Sequence, residues 1–558
     1  MKSRIFFAAL AITALSANAQ WPSGPEGELP IYPDGTSSPD VTLCGAPDGN
    51  TWLWMPHNKT DEDGEFGVEY SCQIYNPEGK TLLGKEPQQV SFFPYQSWWM
   101  FQARNIFIDN DNNCIFGVQD CRVSTLSHSA SVYKISPTGE QLWGKDGVTV
   151  TGNEENGLLV SFGGIELEDG SYVFSWTASM DYETTFWVST TRVSADGKII
   201  SGPNKVNLST STVPQSYMYC WPVNAGNNQY YLVYLEGSGY LMKAMKFDFD
   251  GTPVWGKPVE IYNGGFGSSP PWFKVSFQPT NDGGLLASWY DDRNNTNFED
   301  PYLAYVKPDG SMGFNVKNGL RLDYQEWTRD FDVRVVYDDK TESFVAVYSS
   351  ESQAQSWGTL KAQRISKNGD LLWGEEGLVI GETIEGGYGY LNVVLGEPGR
   401  VAFFYEMHTD AAAREITNYV QYYDVETGKP VWKEPTTFGT FSSPKSDLQS
   451  VNCGEFWTAA WQSQVLVDGK YTSQNENYFL QRINFDGTVG NGGSGIETIT
   501  NDKAPMNYSI NGRQVSFDKD ANVFDLSGRQ VASGRQATLA PGVYMGSDGD
   551  NVAKFIIR

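Results

Sequence analysis

Hydrophobic and polar positions alternate along most of the chain in short runs that end at glycine-containing turns. The stretch QRISKNGDLLWGEEGLVIG at residues 363–381 is typical: an extended run reaches an Asn-Gly pair, and an apolar run with a tryptophan follows. Alternation with period two predicts half-buried strands, and Asn-Gly pairs predict hairpin turns because they adopt positive φ readily. We therefore expect strands joined in hairpins rather than helices.

The same phrase recurs in eight copies, about 59 residues apart, as in repeat architectures. The turn glycines of the copies are Gly79, Gly139, Gly197, Gly251, Gly310, Gly369, Gly428 and Gly487. Four copies carry a tryptophan four residues after the glycine, namely Trp143, Trp255, Trp373 and Trp432. We predict that this tryptophan lies between neighbouring repeats, because a large apolar ring at a fixed place in each unit is best used in packing.

A second turn precedes each phrase, and the strand after it ends in an aromatic residue in seven of the eight copies. These residues are Trp54, Trp176, Tyr234, Trp289, Tyr348, Tyr405 and Trp461. Each copy thus offers two hairpins, and four strands of about five or six residues fit within one repeat. Four-stranded sheets repeated around an axis form a β-propeller. The sequence predicts an all-β chain with an eight-bladed β-propeller over residues 20–496, the first strand of each blade lining the channel.

The two ends of the chain depart from the repeat. Residues 1–19 have a basic start, an apolar run and a small-residue cleavage site, as in a secretory signal peptide. Residues 490–495 are typical of a flexible linker, and residues 497–558 predict a small β-sandwich-like domain. The eighth copy lacks an apolar outer strand, so we predict that residues 21–33 supply one beside 478–485, in a clasp that closes the ring.

Composition narrows the function classes. The chain has 40 Lys and Arg against 67 Asp and Glu, a formal net charge of −27, which disfavours a nucleic-acid partner. Cys114 and Cys121 lie too far apart along one predicted strand to form a disulfide, and no CxxC pair suggests a metal site. No phosphate loop or nucleotide-binding fingerprint occurs, so we expect no cofactor. No segment after the signal peptide is apolar enough to predict a transmembrane helix.

Two parts of the chain resemble known families. Residues 287–310, with Trp289, Asp291 and Arg293, and the phrase from Gln363 to Gly377 resemble the repeats of secreted bacterial β-propeller proteins. The tail VFDLSGRQVASGRQATLAPGVYMGSDGDNVAKFIIR at residues 523–558 resembles the C-terminal sorting domain of type IX secretion cargo. The second resemblance implies a secreted protein, or one on the outer surface of a Gram-negative bacterium, with the secretion machinery as a partner of its C-terminal domain.

Aromatic residues collect in the loops that would share one rim of the propeller, opposite the tight turns. The candidate ligand-binding residues are Trp98, Trp99, Tyr217, Trp272 and Trp327. Ring faces stack on sugars or side chains, and nearby carboxylates accept hydrogen bonds from hydroxyls or amines. We predict a binding protein for an extracellular glycan or polypeptide. The alternatives are a polysaccharide-active enzyme on the same rim and a surface scaffold or adhesion protein, and the sequence favours binding because no loop concentrates an acid, a base and a nucleophile.

Three minor motifs could carry chemistry but have simpler interpretations. His57, His128 and His408 are predicted in loops of three different blades, so a shared metal or catalytic site is disfavoured. The oxygen-rich stretch 109–113 predicts a hairpin turn rather than a calcium loop, because it lacks the loop glycine. The Asp291–Arg293 motif has copies in other blades, which favours a structural ion pair over an active site.

Overall fold

A computed structural model describes residues 21–557 except 26, 32–40, 61–63, 65, 95–105, 125–126, 152–157, 180–185, 207, 209–216, 238–239, 266–274, 294–297, 326, 409–415, 440–444, 468–469, 492–507, 526–529, 541 and 549–551. Every helix or strand assigned in these residues is a β-strand, which confirms the all-β class. The chain divides into two compact units, residues 1–492 and 493–558. The predicted signal peptide lies outside the described residues.

The first unit contains one short strand followed by eight successive groups of strands. In chain order, the strands are β1 (Leu29–Pro30); β2 (Thr42–Gly45), β3 (Thr51–Thr60), β4 (Phe66–Tyr75), β5 (Gln88–Pro94); β6 (Ile106–Ile108), β7 (Cys114–Ser124), β8 (Ser127–Ile135), β9 (Val148–Thr149); β10 (Leu158–Glu166), β11 (Tyr172–Ser179), β12 (Phe186–Val193), β13 (Ile199–Lys205); β14 (Tyr217–Gly226), β15 (Gln229–Glu236), β16 (Leu241–Asp248), β17 (Val259–Tyr262); β18 (Val275–Pro279), β19 (Leu285–Asp291), β20 (Asp300–Val306), β21 (Leu320–Arg321); β22 (Thr328–Asp338), β23 (Ser343–Ser352), β24 (Trp357–Ser366), β25 (Leu378–Glu385); β26 (Tyr388–Leu395), β27 (Arg400–His408), β28 (Ile416–Asp424), β29 (Lys429–Pro430), β30 (Thr436–Phe438); β31 (Lys445–Asn452), β32 (Phe456–Val467) and β33 (Lys470–Asn484).

Each group forms one antiparallel sheet, and each sheet spans one copy of the sequence repeat. Every sheet contacts the next one along the chain, and the eighth contacts the first through β31 and β2. The sheets therefore form a closed ring, which is the arrangement of a β-propeller. At the join, the Gln449 amide of β31 donates to the carbonyl of Val41 (2.7 Å) and accepts from the backbone of Leu43 in β2 (3.2 Å).

The repeat tryptophans lie between neighbouring sheets, as predicted. The indole N–H of Trp255 donates to the carbonyl of Pro308 (3.1 Å), two residues before the turn glycine of the next sheet. Trp143 and Trp432 make the equivalent bond to Ala195 (3.1 Å) and Phe485 (3.0 Å). All eight turn glycines have positive φ, between 64° and 92°, so the predicted turn chemistry is confirmed.

The predicted clasp is confirmed. Strand β1 pairs with β33 antiparallel and forms the outer edge of the eighth sheet, with Leu29 opposite Leu480. The Gln481 amide holds the segment before β1 through the carbonyls of Pro22 (3.0 Å) and Gly27 (2.6 Å). The buried Trp21 donates to Pro77 O (3.0 Å), two residues before Gly79 of the first sheet. Trp21 thus takes the place of the tryptophan that the eighth repeat lacks.

The Asp291–Arg293 motif and the stretch 109–113 both have structural roles. Arg293 makes two hydrogen bonds to the buried carboxylate of Asp291 (2.7 and 2.8 Å), which also accepts from the Trp289 indole (2.8 Å). Asp109 caps its turn by accepting from the backbone of Asn113 (2.8 Å), and it also pairs with the buried Lys134 (2.9 Å).

The side chains of five of the six cysteines are described, and all five are free thiols. Cys114 and Cys121 both lie in β7, as the sequence predicts for two residues of one strand.

The second unit forms one antiparallel sheet in the described residues, with strands β34 (Tyr508–Asn511), β35 (Gln514–Asp525), β36 (Gln530–Thr538), β37 (Gly542–Ser547) and β38 (Val552–Ile557). The long β35 pairs with β34 through its first half and with β37 through its second half. Its core includes Val515, Val523, Phe555 and Ile557, all buried.

Candidate functional site

The predicted aromatic rim is described only in part. Trp98, Trp99 and Trp272 lie outside the described residues. Tyr217 begins β14 and pairs with Glu236 of β15, and only its backbone is described. Trp327 is the one candidate whose side chain can be placed.

Trp327 projects from the loop that precedes β22. Its side chain is 73% exposed, and its backbone has φ 71°, a left-handed conformation that is rare for a bulky residue. The indole meets Phe298 edge to face, with the ring centroids 5.7 Å apart. Beside it, Arg329 makes two hydrogen bonds to Glu299 (2.9 and 3.1 Å), which fixes the start of β22. The protein thus holds a large ring in solvent on a firmly anchored segment.

The histidines do not lie in loops as predicted. His57 is within β3, His128 is within β8, and His408 ends β27, because these strands extend further toward the rim than the sequence pattern suggests. Among the described residues, no group of three or more His, Cys, Asp and Glu side chains could hold a metal ion.

A pocket that the sequence analysis missed lies at the loop end of the channel. It has a volume of about 360 Å³ and is lined by the inner strands of sheets one, six, seven and eight. Its polar lining includes Asp332, Arg334, Tyr390, Asn392 and Asp447. We call it the channel-mouth pocket.

Three inner strands of the pocket share one backbone irregularity, which also occurs at Tyr219 of β14, outside the pocket. Near the start of β22, β26 and β31, the pairing register shifts beside Asp332, Tyr390 and Asp447. These residues have φ 52°, 43° and 56°, so each forms a left-handed bulge. Strained backbone of this kind concentrates at functional sites. The sequence analysis did not mark these bulges, because their positive φ falls on aspartate and tyrosine rather than on glycine or an Asn-Gly pair.

The two amides of the pocket are already used by the fold. Asn392 donates to Ser450 O (2.9 Å) and Oγ (2.8 Å) and accepts from the backbone of Val393 (2.9 Å). Gln449 donates to Asp447 Oδ2 (3.1 Å) in addition to its two bonds across the join. Asp447 Oδ2 also accepts from the Tyr478 hydroxyl (2.8 Å), so the fold already uses this carboxylate too.

Two fully buried polar side chains lie behind the pocket. Glu406 and Asn418 face each other across β27 and β28, and both are 0% exposed. Among the described residues, no side-chain oxygen or nitrogen of either residue has a hydrogen-bond partner of normal geometry. The Glu406 carboxyl lies over Gly389, where an added Cβ would be 3.4 Å from Oε2. Buried polar side chains without a well-formed partner are rare in folded proteins, so this pair distinguishes the seventh sheet.

The charges of Glu406 and of residues in and near the pocket affect one another's pKa values. Burial raises the pKa of Glu406 to about 8 and the Asp447 carboxylate adds to that rise, whereas Lys445 and a backbone hydrogen bond from Leu448 oppose it. Burial lowers the pKa of Lys445 to about 8, against the opposing effect of Glu28 and Glu406. Burial, followed by the carboxylates of Asp447 and Glu406, also raises the pKa of the Tyr390 hydroxyl.

Known proteins resemble the chain only distantly. No family model matches it, and no curated protein matches it. Similar solved structures include the Dos1 propeller, at 10% identity and TM-score 0.43 over 82% of this chain and 95% of that one. A Dyadobacter fermentans protein of unknown function has 11% identity and TM-score 0.30, over 60% of this chain and 97% of that one. A Fusarium graminearum α-L-arabinofuranosidase has 14% identity and TM-score 0.30, over 58% and 92%. No activity is carried over from proteins so distant.

Proposed function

We propose that the protein is a secreted or cell-surface binding protein that recognises an extracellular polypeptide or glycan on the loop side of its propeller. The observation that carries this proposal is Trp327, a 73% exposed indole on left-handed backbone. That conformation costs about 1–3 kcal/mol for a residue other than glycine. Exposed aromatic anchors are the residues that binding surfaces use most, so a ligand that covers the ring accounts for both features.

The test is a binding screen with matched variants. The mature protein is applied to a glycan array and to a panel of extracellular polypeptides, with Trp327→Ala and Phe249→Ala in parallel. Phe249 is also exposed, at 42%, but it lies beside a turn glycine on the opposite side of the propeller. We expect Trp327→Ala to weaken any hit about tenfold or more, as a lost anchor does, and Phe249→Ala to leave it unchanged. Equal effects of the two variants would contradict a loop-side site.

The same protein samples distinguish the two alternative functions, an enzyme and a scaffold. Release of reducing sugar from a polysaccharide, lost in an Asp447→Asn variant, would support an enzyme. The absence of any hit in either screen would support a scaffold. Glu406, a carboxyl group with a strongly raised pKa, is fully buried, and in this conformation it is not placed to meet a substrate from solvent.

Export is the second part of the proposal. The signal-like residues 1–19 and the sorting-like tail support passage across both membranes of a Gram-negative cell, with the tail meeting the secretion machinery. The described residues contain no helix long and apolar enough to cross a membrane. Deleting residues 497–558 should leave a folded propeller in the periplasm, which fractionation and thermal melting would detect. Normal surface delivery of that deletion variant would contradict the role of the tail.

A further inference from the structure

We infer that the outer end of the joint between the third and fourth sheets, on the turn side, is a docking slot for a tryptophan side chain of a partner polypeptide. We call it the open joint. This inference goes beyond the proposed function, because the open joint lies on the opposite side of the propeller from Trp327. It arises at the one joint where the repeat supplies no wedge side chain and no other segment replaces it.

A wedge side chain covers seven of the eight turn glycines. A Cβ added to any of these seven would lie within 3.2 Å of that side chain. Gly251, in the fourth sheet, differs: among the described residues, the nearest atom to its added Cβ is the Tyr230 hydroxyl of the same sheet, at 3.9 Å. All eight turn glycines are described, and Gly251 alone is exposed. The seven wedges are Trp21, Leu83, Trp143, Trp255, Phe314, Trp373 and Trp432.

The sequence of the third repeat explains the opening. Ser201 occupies the wedge position, four residues after Gly197, and its side chain is too short to reach across the joint. The ring of Phe249, two residues before Gly251, does not take its place. That ring lies over the guanidinium of Arg192, with 4.8 Å between Cζ and the ring centroid, and no atom of it comes within 4 Å of the added Cβ. The outer end of this joint is therefore open.

The filled joints show which side chain fits. At four of them, the indole N–H donates to the carbonyl two residues before the turn glycine, at 3.0–3.1 Å. At the open joint the equivalent carbonyl is that of Phe249, and no described group donates to it. Buried indoles are most stable when the N–H has an acceptor. A tryptophan therefore matches both the space over Gly251 and the free carbonyl beside it.

Trp21 is the second, independent observation. It belongs to the N-terminal segment rather than to a repeat, yet it is 2% exposed and donates to Pro77 in the first sheet. A joint without its own wedge thus accepts a tryptophan from a separate segment of polypeptide. A second copy of this chain is disfavoured as the source, because its Trp21 already closes its own ring and a formal net charge of −27 opposes self-association. The occupant is therefore another polypeptide.

Exposed apolar side chains adjoin the open joint in the sequence. Ile199 and Ile200, next to Ser201, are 47% and 49% exposed, and Val254, three residues after Gly251, is 42% exposed. Below the opening, Tyr230 stacks on Phe247 in the core of the same sheet, at 5.5 Å between centroids. A docked tryptophan would extend this core outward. Apolar residues around a buried aromatic anchor are the usual composition of a polypeptide-binding site.

The probe is the peptide acetyl-Gln-Trp-Pro-Ser-Gly-amide, which reproduces residues 20–24, with alanine in place of tryptophan as its analogue. Titration calorimetry is run on the mature protein and on Ser201→Trp, which supplies the missing wedge. The matched control is Asn491→Trp, at the same position of the eighth repeat, where Trp21 already covers Gly79. Melting temperatures verify that each variant is folded.

A second pair of variants keeps the test independent of how the new tryptophan packs. Ile200→Asp places a charge next to Ser201. Leu372→Asp places the same charge at the equivalent position of the sixth repeat, beside the wedge Trp373. The two residues are similarly exposed, at 49% and 43%, so neither change should unfold the protein.

We expect saturable binding of the tryptophan peptide and at least about tenfold weaker binding of the alanine peptide, as for a lost anchor. Ser201→Trp and Ile200→Asp should each weaken binding at least about tenfold, and the two controls should bind normally. The absence of saturable binding at millimolar peptide overturns the inference. So does a loss in Asn491→Trp, which would mean that the peptide exchanges with the clasp, or an equal loss in both aspartate variants.

Sedimentation velocity tests the remaining occupant, a second copy of the chain. Concentration-dependent self-association of the mature protein that Ser201→Trp abolishes would assign the open joint to that copy and overturn the inference. A monomeric protein that binds the peptide supports it. The proposed function fails or stands separately, because a loop-side hit depends on Trp327 and not on the open joint.

Discussion

The turn side and the loop side of the propeller use the same repeat differently. On the turn side, repeated residues serve packing: Trp143, Trp255 and Trp432 each bond the neighbouring sheet at the same carbonyl position. On the loop side, the bulge positions carry aspartate in β22 and β31 but tyrosine in β26, and Glu406 and Asn418 are buried without well-formed hydrogen bonds among the described residues. Packing accounts for the repeat tryptophans, although the buried indole N–H groups of Trp54, Trp373 and Trp461 also lack a hydrogen-bond partner among the described residues. A buried carboxyl such as that of Glu406 costs more to leave unpaired than an indole N–H, so we look for function on the loop side.

The largest effect should come from removing the clasp. Deleting residues 20–34 takes away β1, the carbonyl partners of Gln481 and the buried Trp21, which is 2% exposed. We expect the melting temperature to fall by several degrees, because a lost edge strand and a lost buried indole together remove at least a few kcal/mol. Calorimetry measures the shift. An unchanged melting temperature would mean that the ring closes without the clasp.

A pair of tryptophan variants compares the two sides directly. Trp255→Ala should lower the free energy of unfolding by about 3–5 kcal/mol, because the ring is buried between sheets. Trp327→Ala should change it by less than about 0.5 kcal/mol, because the ring is exposed. Urea unfolding measures both. Similar losses would show that Trp327 belongs to the packing and would remove the main support for a loop-side site.

The pH dependence of the free energy of unfolding tests whether the buried Glu406 carboxyl is protonated in the folded protein. Glu406 holds its proton in the folded state up to a pKa of about 8, against about 4.5 in the unfolded chain. The folded state therefore binds more protons between these values, and stability should fall as the pH rises from 4.5 to 8. Glu406→Gln removes a contribution of up to a few kcal/mol to that fall, so the variant should gain stability at pH 8 relative to wild type and match it near pH 4.

Lys445 and Glu28 lie in the same neighbourhood and also have shifted pKa values, so the Glu406 variant and its control both retain these two residues. Glu375→Gln removes an exposed carboxylate from the turn that follows Trp373 and should leave the slope unchanged. If Glu406→Gln has the same slope as wild type, the Glu406 carboxyl is solvated or paired in solution, and the contrast between the two sides is weaker than we infer.

Sequence periodicity could predict the sheets, the wedge tryptophans and the clasp, because each depends on residues that recur at fixed spacing. It could not predict the channel-mouth pocket. Asp332, Tyr390 and Asp447 share a backbone conformation that no glycine or Asn-Gly pair marks in the sequence, and ring closure is what brings β31 beside β2. Nor could periodicity show that Asn392 and Gln449 are occupied by internal bonds, since their partners lie in neighbouring sheets.

The smallest effect concerns the backbone of Trp327. Glycine adopts positive φ without steric strain, so Trp327→Gly should be more stable than Trp327→Ala if the left-handed conformation at φ 71° persists without a ligand. The relief of about 1–3 kcal/mol is partly offset by about 0.4–1 kcal/mol from the greater freedom of glycine in the unfolded chain. The net gain should be about 1 kcal/mol in urea unfolding. If the alanine variant is the more stable one, the backbone relaxes in the free protein, and the strain that we attribute to binding is not stored there.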